Sequence, residues 1–154
     1  ALSALGITSG MTHMEWFLTS DGRIVIGEIG GRPPGAQITD GTGWVHNRNA
    51  HLAWAKAIVN DHFDGPWVRE NAVAIAYLRA QQPGVITGIT GLEHAQERVR
   101  SLVVDRQLPS IGVRTSDSYE GDGWVILRHP DTEVVKRAAL EVISNVRVIA
   151  SAQG

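Results

Sequence analysis

Two glutamates, Glu15 and Glu28, lie on either side of an Asp-Gly pair and are the residues of this sequence best suited to hold a metal ion. If Asp21 and Gly22 form a two-residue hairpin loop, Glu15 directly faces Glu28 on the neighbouring strand. At a separation of ~5 Å and an effective dielectric constant of about 20, their repulsion is ~3 kcal/mol. A divalent cation between the two carboxylates would relieve this repulsion.

The same register places His13, Phe17 and Ile26 on the face of the hairpin that carries the glutamates. This face is partly apolar, so leaving both carboxylates charged without a partner is costly. Oxygen ligands, a single nearby histidine and the absence of cysteine favour Mg²⁺ or Mn²⁺ over Zn²⁺. Three alternatives stay open. A longer loop with a bulge would put the glutamates on opposite faces, the pair can share a proton, and a lysine from elsewhere can neutralise them.

Arg32 follows Glu28 in a loop of glycines and prolines that must end the second strand. Its planar guanidinium can orient a phosphate or a carboxylate beside the metal. A solvated loop cation is the alternative interpretation. The loop 31–37 is the local candidate for substrate contact, because its small residues allow close approach of the backbone.

The elements that must position these residues follow from apolar periodicity and turn residues. Strand patterns cover 12–18, 23–29, 73–78, 84–89, 101–108, 124–128 and 147–150, and helical patterns cover 50–63, 92–100 and 132–145. Asn49 and Asp131 are the expected N-caps of the first and last helix. We therefore expect an α+β protein, with a boundary at 64–67 between a hairpin-plus-helix part and a β-rich lobe with two helices.

Composition limits the class of protein. Among 154 residues, 14 Lys and Arg against 16 Asp and Glu give a net charge of −2, which provides no basic surface for nucleic acid or an anionic membrane. The apolar runs are shorter than the ~20 residues that span a bilayer. Cysteine is absent and no signal-peptide pattern opens the sequence, so we expect a cytoplasmic protein. Residues 1–6 have the pattern of a last helical turn closed by Gly6, which predicts further chain before it.

The runs THMEWF at 12–17 and GEIGGRPPG at 27–35 resemble the metal-binding hairpin of ATP-grasp ligases, especially the carboxylate-amine ligase and biotin-carboxylase-like members. The resemblance implies that Glu15 and Glu28 hold one or two Mg²⁺ ions bridging the ATP phosphates, and it places Phe17 with them at the cofactor site. It also implies that Arg32 contacts the acyl phosphate or the substrate carboxylate. Gly30 stands where many members have the ligating asparagine of an E-x-N-x-R pattern.

By this resemblance, residues 1–65 are the C-terminal part of an ATP-grasp domain and residues 66–154 a β-rich C-terminal lobe, together the C-terminal portion of a longer enzyme. Such an enzyme would phosphorylate a small carboxylate with Mg-ATP, and an amine or another nucleophile would then displace phosphate. The family's nucleotide-clamping lysines lie upstream, so we expect the 154-residue chain alone to be inactive. No nucleic acid or membrane partner is expected, and a homodimer stays open.

Two other functions stay open from the sequence. A non-catalytic binding module would use the hairpin only structurally. A small hydrolase would use Glu15 and Glu28 as an acid and base pair, although directly opposed strand positions leave little room for the water of an inverting glycosidase.

Several further motifs are not expected to form a phosphate-binding or metal-binding site. The glycine-containing runs 41–43 and 121–123 are expected to be turns rather than phosphate loops, because neither has the required glycine pattern between a strand and a helix. His46, His51 and His62 lack metal-ligand spacing and are expected to be ordinary polar residues.

Overall fold

The secondary structure of the computed structural model, which describes residues 2–152, is α+β, as predicted. The strands are β1 His13–Leu18, β2 Ile24–Gly30, β3 Ala72–Leu78, β4 Val85–Thr90, β5 Val103–Gln107, β6 Gly123–His129 and β7 Arg147–Ser151, and the helices are α1 Ile38–His46, α2 Ala50–Asn60, α3 Leu92–Val99 and α4 Thr132–Asn145. Short 3₁₀ turns cover Leu2–Leu5 and Arg100–Leu102. Within residues 2–152, no helix is both long enough and apolar enough to cross a membrane.

The predicted helix caps are confirmed. The Asn49 side chain accepts a hydrogen bond from the Leu52 N–H at 2.9 Å, and the Asp131 side chain accepts one from the Glu133 N–H at 2.8 Å. At the start of the chain, Gly6 has a φ of 70° and closes the turn Leu2–Leu5, as its pattern predicted. The helix predicted over 50–63 ends at Asn60 instead, where the following residue turns into the left-handed region.

Helix α1 was not predicted, and the expectation of a turn at 41–43 is wrong. Each glycine in a helix costs about 1 kcal/mol relative to alanine, which hides this helix from a propensity argument. Gly41 and Gly43 are buried, however. A Cβ at Gly41 would contact Ile75 of β3, and one at Gly43 would meet the carbonyl oxygen of Arg48. Close packing against the segment before α2 therefore selects glycine at residue 43, whereas residue 41 has room for a Cβ in ordinary contact with β3.

Three antiparallel sheets make up the strand structure: the hairpin β1-β2, the sheet β3-β6-β5, and the pair β4-β7. Sheet β3-β6-β5 has helices on both faces, with α4 on one and α1 on the other. Ile126 and Leu127 are adjacent on β6 and fully buried, because successive side chains point to opposite faces. The main core lies on the α4 side and includes Leu127 and Val142.

Polar contacts join the end of α1 to this sheet. The Asn47 side chain donates to Glu70 Oε2 at 2.6 Å and accepts from Arg128 Nη1 at 2.8 Å. The Arg128 guanidinium also lies 4.9 Å from the centroid of the Trp44 ring. The predicted boundary at 64–67 falls in the extended segment between α2 and β3, but α1 packs across it. The division into 1–65 and 66–154 stays a prediction.

Gly43→Ala should lower the free energy of unfolding by about 1–3 kcal/mol, because the added Cβ would lie 2.6 Å from the Arg48 carbonyl oxygen. Gly41→Ala is the matched control on the same helix. Its Cβ would lie 3.4 Å from Ile75 Cδ1, an ordinary contact, and alanine favours the helix by about 1 kcal/mol. Urea unfolding of both variants tests this, and a Gly43→Ala variant as stable as the wild type would contradict the packing.

Tyr77 makes the free energy of unfolding depend on pH in the alkaline range. Burial raises the pKa of Tyr77 above its usual 10.0, and the charges of Glu120 and Tyr119 add to the shift. The folded chain therefore keeps the phenolic proton at pH values where the unfolded chain has lost it. Stability from this group is fully present below a pH of about 10 and is lost as the pH rises through the raised pKa.

Tyr77→Phe should flatten this alkaline decline in the free energy of unfolding. It should also lower stability at neutral pH by about 1 kcal/mol, because it removes the hydrogen bond that the Tyr77 hydroxyl donates to the Ala36 carbonyl. Urea unfolding from about pH 7 to about pH 11 measures both effects. An unchanged alkaline slope in the variant would show that Tyr77 does not cause it.

Candidate functional site on the β1-β2 hairpin

The hairpin loop is longer than predicted. The Thr19 N–H donates to the Arg23 carbonyl at 2.9 Å, which leaves Ser20, Asp21 and Gly22 as a three-residue loop. Gly22 has a φ of 83°, in the left-handed region that such a loop requires. The expectation of a two-residue loop is therefore wrong.

The loop is stabilised by the Asp21 carboxylate. It accepts hydrogen bonds from the Thr19 hydroxyl and, at 2.8 Å, from Arg23 Nε. These two hydrogen bonds, with the Thr19 contribution the larger, lower the pKa of Asp21 below its usual value. A charged Asp21 thus favours the longer loop, an effect that the Asp-Gly dipeptide alone did not reveal.

A β-bulge at Gly27 makes the two glutamates face each other in spite of the longer loop. Trp16 pairs with Ile26, whereas Glu15 pairs with Glu28, so Gly27 has no partner across the ladder. Without this extra residue Glu15 would face Gly27, and Glu28 would lie on the opposite face. The predicted placement of Glu15 opposite Glu28 is found, but it arises from a longer loop and a compensating bulge.

The two faces of the hairpin differ sharply in polarity. The glutamate face, which we define as His13, Glu15, Phe17, Val25 and Glu28, keeps the predicted positions of His13 and Phe17. Ile26 was predicted on this face and lies on the other, because the bulge begins after it. The apolar face consists of Met14, Trp16, Leu18, Ile24, Ile26 and Ile29.

Most of both faces is open towards solvent, although the His13 side chain is only 13% exposed. Phe17 is 63% exposed on the glutamate face, and Leu18 is 67% exposed on the apolar face. The Phe17 ring lies over the bulge, since a Cβ at Gly27 would come within 2.9 Å of Phe17 Cε2. Six apolar side chains on one exposed face form the kind of patch that usually marks an interaction surface.

His13 connects the glutamate face to the loop that carries Arg32. Its Nδ1 donates to the Arg32 carbonyl oxygen at 2.8 Å, and its Nε2 lies 3.7 Å from Glu28 Oε1. A Cβ on Gly30 would lie only 2.1 Å from His13 Cε1. The imidazole therefore occupies the space that any side chain at residue 30 would need, which accounts for the glycine.

Arg32 is exposed, and its Nη1 donates to the Pro33 carbonyl at 2.9 Å. In the described part of the chain no carboxylate pairs with it. A guanidinium has five N–H donors, so most of them are available to a ligand. The role of Arg32 in orienting a phosphate or a carboxylate stays a prediction.

The loop after Arg32 has a defined and strained shape. Ala36 and Gln37 have φ values of 53° and 58°, which cost non-glycine residues about 1–3 kcal/mol each. Two hydrogen bonds hold the loop: Thr39 Oγ1 donates to the Pro34 carbonyl at 2.7 Å, and the Tyr77 hydroxyl donates to the Ala36 carbonyl. Nothing in the sequence indicated that Tyr77 holds this loop, because Tyr77 lies on a strand about 40 residues further along the chain.

The two carboxylates, of Glu15 and Glu28, are a donor set that suits a magnesium ion. Residues 2–152 contain no group of three or more His, Asp or Glu side chains arranged as a metal site. Mg²⁺ nevertheless binds proteins through one or two carboxylates and completes its shell with water and substrate phosphates. The Glu28 side chain is 58% exposed, which leaves room for such ligands.

The motifs set aside in the sequence lie elsewhere. His46 Nδ1 bonds to the Val68 carbonyl at 2.8 Å, and His51 Nε2 lies 3.0 Å from Asp40 Oδ1. Hydrogen bonds from Lys56 and His62 lower the pKa of the Asp64 carboxyl. Gly121, with a φ of 71°, and Asp122 lie in a turn as expected, whereas Gly123 already begins β6.

No protein-family model and no curated protein matches this chain. Several solved structures are similar to it, and three of them match 97% of its length. L-amino acid ligase from Bacillus licheniformis matches with a TM-score of 0.77 and 21% identity, and 40% of that chain is covered. N5-carboxyaminoimidazole ribonucleotide synthetase from Thermotoga maritima matches with a TM-score of 0.68 and 20% identity, and 39% of that chain is covered. Phosphoribosylglycinamide synthetase from Anaerococcus prevotii matches with a TM-score of 0.72 and 14% identity, and 39% of that chain is covered.

These similarities define the fold class. The three proteins are ATP-grasp ligases, and the chain has the fold of the C-terminal portion of such enzymes, as the hairpin motif led us to expect. The chain spans about two fifths of the length of these neighbours.

Proposed function

We propose that this chain is the C-terminal part of an ATP-dependent ligase that activates a carboxylate as an acyl phosphate at the glutamate face of the hairpin. One observation carries the proposal: a bulge holds Glu15 opposite Glu28, and an exposed Arg32 follows in a loop of fixed shape. The similarity in fold to three ligases supports it.

Glu15 and Glu28 are the proposed protein ligands of Mg²⁺ or Mn²⁺. When bound, the cation would neutralise negative charge on the ATP phosphates and on the phosphoryl group in transfer. Among the described residues no lysine or arginine pairs with either glutamate, so their charge is available to a cation. Phe17, exposed on the same face, is the proposed apolar contact for the nucleotide.

Arg32 is proposed to bind the substrate carboxylate through two parallel N–H donors and to hold it in line with the γ-phosphate. A carboxylate oxygen then forms a bond to the γ-phosphorus while the bond to the β,γ-bridging oxygen breaks, and ADP leaves. An amine or another nucleophile next attacks the acyl carbon and expels phosphate. The hydrogen bonds from Tyr77 and Thr39 keep the loop after Arg32 in one shape throughout.

We also infer that the complete ligase is longer than this chain and that its additional part clamps the nucleotide. The exposed apolar face of the hairpin supports this inference, because a patch of this kind is usually covered by other protein surface. On this basis the 154 residues alone are expected to be inactive. A homodimer and a cytoplasmic location stay predictions.

Glu15→Gln and Glu28→Gln, each made in the full-length protein, should lower the rate of carboxylate-dependent phosphate release from ATP by about 100-fold or more, because each removes negative charge from the cation site. Glu133→Gln is a matched control, since this exposed carboxylate lies on α4, which packs on the β3-β6-β5 sheet and not on the hairpin. Wild-type rates in both glutamate variants would exclude the ligase mechanism and favour a non-catalytic binding module.

Arg32→Lys should raise the KM for the carboxylate about tenfold or more, because a point charge cannot replace a bidentate pair and one charged hydrogen bond contributes about 1.5–3 kcal/mol. Arg137→Lys, at an exposed position on α4, should leave KM unchanged. Steady-state kinetics at saturating ATP measures both. An unchanged KM in Arg32→Lys would show that another group binds the substrate carboxylate.

A further inference from the structure

The hydrogen bonding of His13 determines which ring nitrogen faces Glu28. A carbonyl oxygen only accepts hydrogen bonds, so the contact with the Arg32 carbonyl places a hydrogen on Nδ1. In the neutral ring the lone pair is then on Nε2, the atom 3.7 Å from Glu28 Oε1. A lone pair and a carboxylate oxygen thus face each other, and both favour a cation between them.

The close contact between the His13 ring and Gly30 also fixes the position of the ring. The imidazole lies where a Cβ on Gly30 would come within 2.1 Å of Cε1, so no side chain at residue 30 can enter this end of the site. The donor available next to Glu28 is therefore the nitrogen of His13. Its Nδ1–H bond to a backbone carbonyl is the arrangement that commonly orients a metal-binding histidine.

We propose that His13 Nε2 and Glu28 share one divalent cation, so that the metal site of this chain has a nitrogen ligand beside its carboxylates. This inference rests on the proposed function for the presence of a cation. Two atoms bound to one ion at about 2.1 Å lie about 3–3.5 Å apart, so the observed 3.7 Å requires only a small movement of flexible side chains.

A nitrogen ligand has two consequences. Imidazole suits transition metals better than Mg²⁺, so the site should bind Mn²⁺ more tightly than Mg²⁺. The ring also bonds to the backbone of Arg32, so the residue proposed to bind the cation holds the loop proposed to bind the carboxylate. The competing possibility is that His13 only supports this loop, which predicts no direct bond between metal and nitrogen.

Electron paramagnetic resonance with Mn²⁺ as the probe distinguishes these possibilities on the 154-residue chain, without ATP turnover. At a pH of about 8, where a free imidazole is neutral, the wild-type chain should bind Mn²⁺, and pulsed spectra should contain modulation from one imidazole ¹⁴N. His13→Gln should lose this modulation and bind Mn²⁺ at least about tenfold more weakly. His51→Gln, a histidine paired with Asp40 elsewhere, should change neither.

Gly30→Ala provides a second variant that alters no ligand atom. Its Cβ must displace the imidazole, so it too should lose the ¹⁴N modulation, and thermal unfolding checks that the chain remains folded. Mn²⁺ bound in a Glu28-dependent manner without ¹⁴N modulation would overturn the role of His13 and leave the proposed ligase function intact. No binding at millimolar Mn²⁺ would also overturn it, while ATP turnover by the full-length protein tests the ligase function separately.

Discussion

The repulsion between two carboxylates held opposite each other on an antiparallel ladder is the constraint on which the candidate site depends. Glu15 and Glu28 face each other, and within residues 2–152 neither has a lysine or arginine partner. Like charges in this position weaken a hairpin by themselves. Both carboxylates are exposed, which leaves room for the cation that the proposed function places between them.

The two parts of the chain differ in how their shape is maintained. Sheet β3-β6-β5 is covered by helices on both faces, and Tyr77 on its α1 side holds the loop that follows Arg32. The hairpin has no such cover among the described residues, and its largest side chains lie exposed. The sheet thus fixes the loop that follows the arginine, whereas the glutamates lie on an element whose apolar face is exposed in the described part of the chain.

Most of the elements were predictable because their signals are local. Periodicity identified every strand and three of the four long helices, and the caps at Asn49 and Asp131 were visible as single residues. Helix α1 was not predictable, because its glycines are unfavourable in isolation, and Gly43 is explained only by the Arg48 carbonyl oxygen packed against it. Tyr77 was missed for the same reason, since its partner is distant along the chain.

The sequence by itself supplied the candidate site residues and the resemblance of the hairpin to ATP-grasp ligases, because residue types and short spacings survive small errors in geometry. Only the tertiary structure decided how the site is assembled. The Asp21 carboxylate favours a loop one residue longer than the dipeptide indicates, and the bulge at Gly27 restores Glu28 to the face of Glu15. The position of the His13 ring over Gly30 likewise depends on contacts between strands, which no single stretch of sequence encodes.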